Sequence, residues 1–195
     1  MDSSYSITDI ASQISKCKLC ELHKNRTLTV PGHGDPNSKI LIIGEAPGQN
    51  EDQKGIPFVG RAGHILDSLL ESINIDRTKI FITNMVKCRP PQNRDPNVKE
   101  IIQCSDFLDH QISIINPLVI ITLGRLSLKK FLPNTSIKIA RGSIHKWKQY
   151  NIFPIYHPAA ALYNPKLLPK MKSDFKKISS LIEGMETDFK STHME

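Results

Sequence analysis

Long apolar runs are missing from this sequence: none approaches the ~20 residues that a membrane-spanning helix needs. The N-terminal segment MDSSYSITDIASQISK also lacks the basic-then-apolar order of a secretory signal. A soluble chain of the cytoplasm, without membrane contact, is therefore expected. Internal repeats, low-complexity tracts and interdomain linkers are absent as well, and 195 residues at 39% hydrophobic content suffice for one core but not for two ordinary domains. We expect one monomeric domain over residues 1–195, its core running from about 7 to 184 and a polar remainder, 185–195, fraying at the end. Acidic residues are in deficit, with 26 Lys+Arg against 19 Asp+Glu and a formal charge of +7. A polyanionic partner such as DNA or RNA would explain that balance, as would a merely solubilising surface.

Cysteine is scarce, and its placement is uneven. Cys17 and Cys20 form a C-x2-C pair, whereas Cys88 and Cys104 stand alone further on. Without an export signal these residues read as metal ligands rather than disulfides. Four thiolates hold either zinc or a [4Fe-4S] cluster, and four unrelated buried thiols would leave the same trace. Structural zinc usually pairs two short knuckles; with one knuckle present, the spacing leans toward the cluster.

Periodicity gives the order of elements. Ile7, Ile10, Ala11 and Ile14 predict a short helix that delivers Cys17 and Cys20 at its end. Ile40–Ile43 is a continuous apolar run ending at Gly44, the pattern of a strand buried on both faces. A helix follows through Ile65, Leu66, Leu69, Leu70 and Ile73, then strands at Ile80–Ile82, Leu118–Leu123 and Ile152–Tyr156, with a helix after Gly124 and another over about 167–182. Helices alternating with buried strands predict an α/β layered fold with a mainly parallel sheet.

Each unusual polar or Gly/Pro-rich motif follows one of these strands: Gly44-Glu45-Ala46-Pro47-Gly48, Asn84, Gly124 and His157-Pro158-Ala159-Ala160-Ala161-Leu162. Ligands of open α/β sheets bind outside the carboxyl ends of the strands, so these motifs should line one crevice. Two glycines let the 44–48 backbone approach a ligand, and Glu45 sits where a carboxylate can orient a water. In the loop around Gly55–Gly63, Phe58 can stack on a base or simply anchor the loop. Asn84 presents donors and an acceptor in one plane, which suits a nucleobase edge, although capping a turn is the commoner use of Asn. His157, held extended by Pro158, can donate to charge developing on a leaving group. Lys87, Arg89, Arg94 and Lys99, in a stretch stiffened by Pro90, Pro91 and Pro96, suit phosphate contact or an ordinary charged loop.

The stretches GEAPGQNEDQKGIPFVGRAG, ITNMVKCRPPQNRDP and YHPAAAL, in this order behind the C-x2-C pair, closely resemble the iron-sulfur family 4 uracil-DNA glycosylases over residues 17–162. The resemblance implies a three-layer α/β sandwich with a central four-stranded parallel sheet flanked by helices. It also implies a [4Fe-4S] cluster on Cys17, Cys20, Cys88 and Cys104, structural in role. On this comparison uracil-containing DNA, single- or double-stranded, is the partner, and an abasic site that starts base excision repair is the product. Glu45, His157 and Asn84 would be catalytic: Glu45 positions the water, His157 bonds uracil O2 and Asn84 reads the amide edge. Phe58 would stack on the flipped base, Gly44, Ala46 and Gly48 would bring backbone close to it, and Glu51 lies in the loop that crowds C5 against thymine. Leu162 would plug the hole left in the duplex, while Tyr163 stands where the family carries Arg and could stack instead. Two other readings remain at this point: a metal-stabilised relative that binds nucleic acid without turnover, and a DNA-crosslinking variant suggested by Arg141-Gly142 with His145.

Overall fold

The computed structural model describes residues 5–192, with side-chain environments through residue 181. In chain order the elements are α1 (Ile7–Lys16), β1 (His33–Gly34), β2 (Ile40–Gly44), α2 (Gln49–Lys54), α3 (Arg61–Glu71), β3 (Phe81–Asn84), α4 (Val98–Ile115), β4 (Val119–Leu123), α5 (Arg125–Phe131), α6 (Ile137–Ala140), β5 (His145–Trp147), β6 (Tyr150–Ile155), α7 (Ala159–Tyr163) and α8 (Leu168–Thr192). They form one sheet in the order β1-β3-β2-β4-β6-β5.

The four inner strands, β3-β2-β4-β6, are parallel throughout, which is the sheet expected from the apolar runs. Two antiparallel edge strands bring the total to six and correct the four-stranded expectation. Neither edge leaves an apolar run to read. β1 is two residues long, and β5 is a mostly polar HKW segment that returns through a two-residue turn at Lys148-Gln149, with Lys148 at φ 52°. Short, polar edge strands also protect the sheet from pairing with another chain.

Strand alternation divides the core into two layers. Ile40 and Ile42 face Leu66, Leu69 and Leu70 of α3 and Met171, Phe175 and Ile178 of α8. Leu41 and Ile43 face Leu108, Ile112 and Ile115 of α4 together with Phe131 of α5. Each such side chain, fully buried, contributes about 1.5–3 kcal/mol of transfer free energy.

The helix α4 is absent from the periodicity reading, which treats the chain beyond Cys88 as a basic loop. A sequence signal for it exists: Asn97 and Glu100 form a capping box, each side chain accepting from the other's backbone N–H, ahead of an apolar-spaced run. α8 continues to Thr192, beyond the expected end near 182, so much of the expected frayed tail is helical backbone; residues 193–195 lie outside the described set. Among the described residues no helix is long and apolar enough to cross a membrane.

Candidate active site

Because the inner strands are parallel, β2, β3, β4 and β6 all end on one side of the sheet. Gly44 and Asn84, the last residues of β2 and β3, are register partners. Around these ends lies a cleft of about 520 Å³ whose walls include Glu45, Ala46, Gly48, Glu51, Phe58, Asn84 and His157. Gly44 does not itself line the cleft but backs two residues that do: a Cβ there would stand 2.7 Å from Phe58 Cζ and nearer still to Asn84 Oδ1. Gly124 likewise backs two lining residues, since a Cβ there would come 2.6 Å from Glu45 Oε1 and 3.1 Å from His157 Cβ. Four chain segments expected to converge therefore do so.

Asn84 is 1% exposed, and its Oδ1 has no hydrogen-bond partner. A buried amide oxygen left unpaired costs about 1–3 kcal/mol, so this atom is held ready for a donor that is not part of the protein. Phe58 and His157 stack with ring centroids 5.7 Å apart and planes inclined by 29°. The backbone N–H of Ala159 donates to His157 Nδ1 at 3.1 Å, so Nδ1 must accept and the neutral ring carries its proton on Nε2. Burial pulls the His157 pKa down to about 4, against a smaller opposing influence from the Glu51 carboxylate. At neutral pH the ring is an uncharged donor. Glu45 behaves differently. Burial raises its pKa, opposed first by the backbone N–H of Leu126, in the first turn of α5, which donates to Oε1 at 3.1 Å.

The Phe58 loop is clamped rather than loose. Phe58 has φ 53°, a left-handed conformation that costs a non-glycine residue about 1–2 kcal/mol. Glu51 offsets that cost: Oε1 accepts from Val59 N at 2.9 Å and Gly60 N at 2.8 Å, and Oε2 from Gly48 N at 3.1 Å. The Gly48 amide is therefore turned toward Glu51 and already occupied. Glu51 borders the cleft and also builds it, a role its sequence position does not disclose.

At the mouth, Arg125 Nη2 donates to Asp95 Oδ2 at 2.6 Å, and Arg94 pairs with Glu100 at 2.7 Å. Thirty residues separate Asp95 from Arg125, and no sequence signal links them. Leu162 is half-buried and does not line the cleft, whereas Tyr163 lines it and is 90% exposed. His145 lies on β5 with Nε2 against Ala140 O at 2.9 Å, and is not brought to the cleft.

The four cysteines come from the end of α1, the segment after β3, and α4, yet all line one small cavity. None is in a disulfide, and Arg26 Nη1 donates to Cys88 Sγ at 3.0 Å. Burial raises the thiol pKa values of Cys20 and Cys88 and pushes Cys104 up to about 11, so a positive group must displace the protons if thiolates are to form. Among the described residues no three of His, Cys, Asp or Glu converge as a single-ion site. Four thiols are the soft donor set that zinc and iron–sulfur clusters both take.

One expected surface residue is misplaced by the sequence reading. Lys87, assigned to a basic loop, is fully buried, and its Nζ donates to Thr83 Oγ1, Asn84 O and Gln111 Oε1 at 2.7, 2.8 and 2.7 Å. Burial draws its pKa down to about 7. The three acceptors that admit it to the core lie partly on α4, which the sequence reading lacked.

This geometry defines a class: a parallel α/β sheet whose strand ends bring an aromatic face, a buried amide and a neutral imidazole to one cleft, an arrangement able to take a flat ring. Comparisons with known proteins narrow it. The profile of the Uracil DNA glycosylase superfamily matches residues 31–180. The chain is 48% identical over 186 residues to the type-4 uracil-DNA glycosylase of Sulfurisphaera tokodaii, covering 90% of this chain and 84% of that one. It is 45% identical over 186 residues to the type-4 enzyme of Archaeoglobus fulgidus (90% and 93% covered) and 40% identical over 179 residues to that of Thermotoga maritima (89% and 93%). The chain belongs to the uracil DNA glycosylase superfamily and, within it, to the type-4 family.

Proposed function

We propose that this chain is a uracil-DNA glycosylase that works inside the cell, as a monomer, on uracil flipped out of DNA. The observation that carries the reading is the orphaned amide oxygen of Asn84, beside the Phe58 face and facing the same cleft as His157. Extruding a nucleotide costs a few kcal/mol of stacking and pairing, which pocket contacts must offset. Phe58 supplies a stacking face. Asn84 Oδ1 accepts from the uracil N3–H while its amide N–H donates to O4. His157 Nε2–H donates to O2.

The reaction breaks the C1′–N1 bond, and the electron pair leaves with uracil. Water forms the new bond to C1′ and its proton passes to Glu45 or to solvent. Negative charge grows on O2 as the bond opens, so the His157 hydrogen bond strengthens toward the transition state, and only such interactions accelerate the step. Glu45, ionised, holds the water and favours positive character on the sugar. The loop clamped by Glu51 would crowd a methyl at C5. Tyr163, exposed at the rim, is better placed than half-buried Leu162 to stack in the gap left by the nucleotide.

Cys17, Cys20, Cys88 and Cys104 would hold a [4Fe-4S] cluster, which when bound cross-links the end of α1, the β3–α4 segment and α4. Hydrolysis itself is redox-neutral. The purified protein should be brown, with broad absorption near ~400 nm; a zinc protein would be colourless.

The test is incubation with a uracil-containing oligonucleotide followed by alkali. Cleavage at the uracil position is expected, with His157→Ala and Asn84→Ala each losing about a hundredfold or more. Absence of cleavage on both single- and double-stranded substrates overturns the reading. DNA affinity retained with no turnover in the unsubstituted protein would instead mark a non-catalytic binder.

A further inference from the structure

Lys87 has no part in the chemistry above, yet it is the largest of the fully buried side chains and touches both sites, its Nζ donating to Asn84 O and its side chain lining the cavity of the four cysteines. It follows Asn84 by three residues and precedes Cys88 by one. The acceptor roles around Nζ are fixed by further bonds. Thr83 Oγ1 donates its own hydrogen to Pro31 O at 2.9 Å, and Gln111 directs its Nε2 to the same carbonyl at 2.6 Å, leaving Oε1 for the lysine. Asn84 O is an acceptor by nature. Three acceptors meet three ammonium hydrogens, and a neutral amine, with two hydrogens, would leave one buried acceptor unmatched. No carboxylate among the described residues forms an ion pair with this cation, and Lys87 lines the same small cavity as Cys17, Cys20, Cys88 and Cys104. A buried cation without a counter-charge is costly, and so is a set of buried thiolates.

We propose that Lys87 is a positioning residue that joins the cluster site to the base slot: its ammonium is the internal counter-cation of the thiolate set, and its bond to Asn84 O fixes the backbone that aims the base-reading amide. The inference rests on the glycosylase reading and on the cysteine site together. Lys87→Met keeps the length of the side chain and removes both functions. Thr83→Val removes one ammonium acceptor while leaving the cation in place.

The experiment measures uracil excision by both variants in the unsubstituted and Asn84→Ala backgrounds, and the reduction midpoint of the purified, iron-loaded proteins. Lys87→Met is expected to lower kcat/KM by roughly ten- to a hundredfold, because about 1 Å of misplacement at a reading group has that effect. In the Asn84→Ala background the same substitution should cost less than about twofold, since residues acting as one unit are not additive. Thr83→Val should show a smaller loss with the same non-additivity, which keeps the test open if Lys87→Met does not fold. The midpoint should move to more negative potential in Lys87→Met, which loses a cation, and stay unchanged in Thr83→Val. Equal losses in both backgrounds would mean that Lys87 only supports the fold, and an unmoved midpoint would overturn the counter-cation. If the unsubstituted protein excises nothing, the glycosylase reading fails, while the midpoint still decides the electrostatic half.

Discussion

Gly44→Ala tests the slot more sharply than removal of any functional side chain, because it leaves all of them present. Gly44 is not among the residues at positive φ, so alanine brings no backbone strain, and the bond from Met85 N to Gly44 O can persist. The added methyl would stand 2.7 and 2.8 Å from Phe58 Cζ and Cε2, with Asn84 Oδ1 closer again. Comfortable carbon contacts begin near ~3.5 Å, so ring and amide must each retreat by almost 1 Å. Displacement of that size in a reacting constellation costs on the order of a hundredfold, whereas one overpacked methyl costs about 1–3 kcal/mol of stability. We therefore expect a folded protein, its Tm lowered by roughly 2–4 °C per kcal/mol, with kcat/KM on a uracil oligonucleotide down about a hundredfold. Single-turnover excision beside a thermal melt separates the two effects. Activity within about threefold of the unsubstituted protein, with the expected fall in Tm, would show that the ring does not sit against Phe58 and Asn84.

The pH dependence should show no step near ~6.5, the ordinary histidine value; the acid limb of kcat/KM should follow Glu45, above the usual glutamate range because of burial, and disappear in Glu45→Gln. For stability the sign follows from His157: its folded pKa, about 4, lies below the unfolded value, so its contribution is intact above ~6.5 and is lost as pH falls toward 4. Melting curves of the protein and His157→Ala across that window should converge as pH drops. Glu51→Ala strands three backbone N–H groups beside a left-handed Phe58 and should cost about 2–4 kcal/mol while raising KM more than it lowers kcat; an unchanged melt would show that the clamp is idle. Tyr163→Ala should weaken excision from double-stranded substrate several-fold and Tyr163→Phe should not, read by kcat/KM on paired substrates.

The inner sheet was legible because strands buried on both faces leave continuous apolar runs, and Leu41–Ile43 or Ile120–Ile121 has no other economical reading. The site was legible for a related reason: once the strands are parallel, the residues after them must share one edge. What could not be read depends on partners remote in sequence. The burial of Lys87 requires Gln111, on a helix missing from the periodicity reading. The work of Glu51 lies in backbone groups up to nine residues on, and charged side chains in loops face water unless such partners are known. Tyr163 looked secondary to Leu162 because hydrophobicity marks a wedge by type, whereas exposure, set by the short helix α7, decides which of the two reaches the rim.

On the proposed mechanism, the protonation state of His157 is what lets this slot favour a leaving uracil anion. Glu45 and His157 flank the same glycine, Glu45 through its carboxylate and His157 through its Cβ. Here the Ala159 amide holds Nδ1 as an acceptor, so an imidazolium would have to break that bond, and burial already disfavours the added proton. Glu45 keeps a donor from the first turn of α5 that works for its anion against the burial that raises its pKa. His157 is an uncharged N–H donor lining the cleft. A cationic donor would also bind a resting carbonyl strongly, giving up part of the gain in the ground state. A neutral donor in a dry site gains most of its strength as charge accumulates on O2, which is the difference that sets the rate.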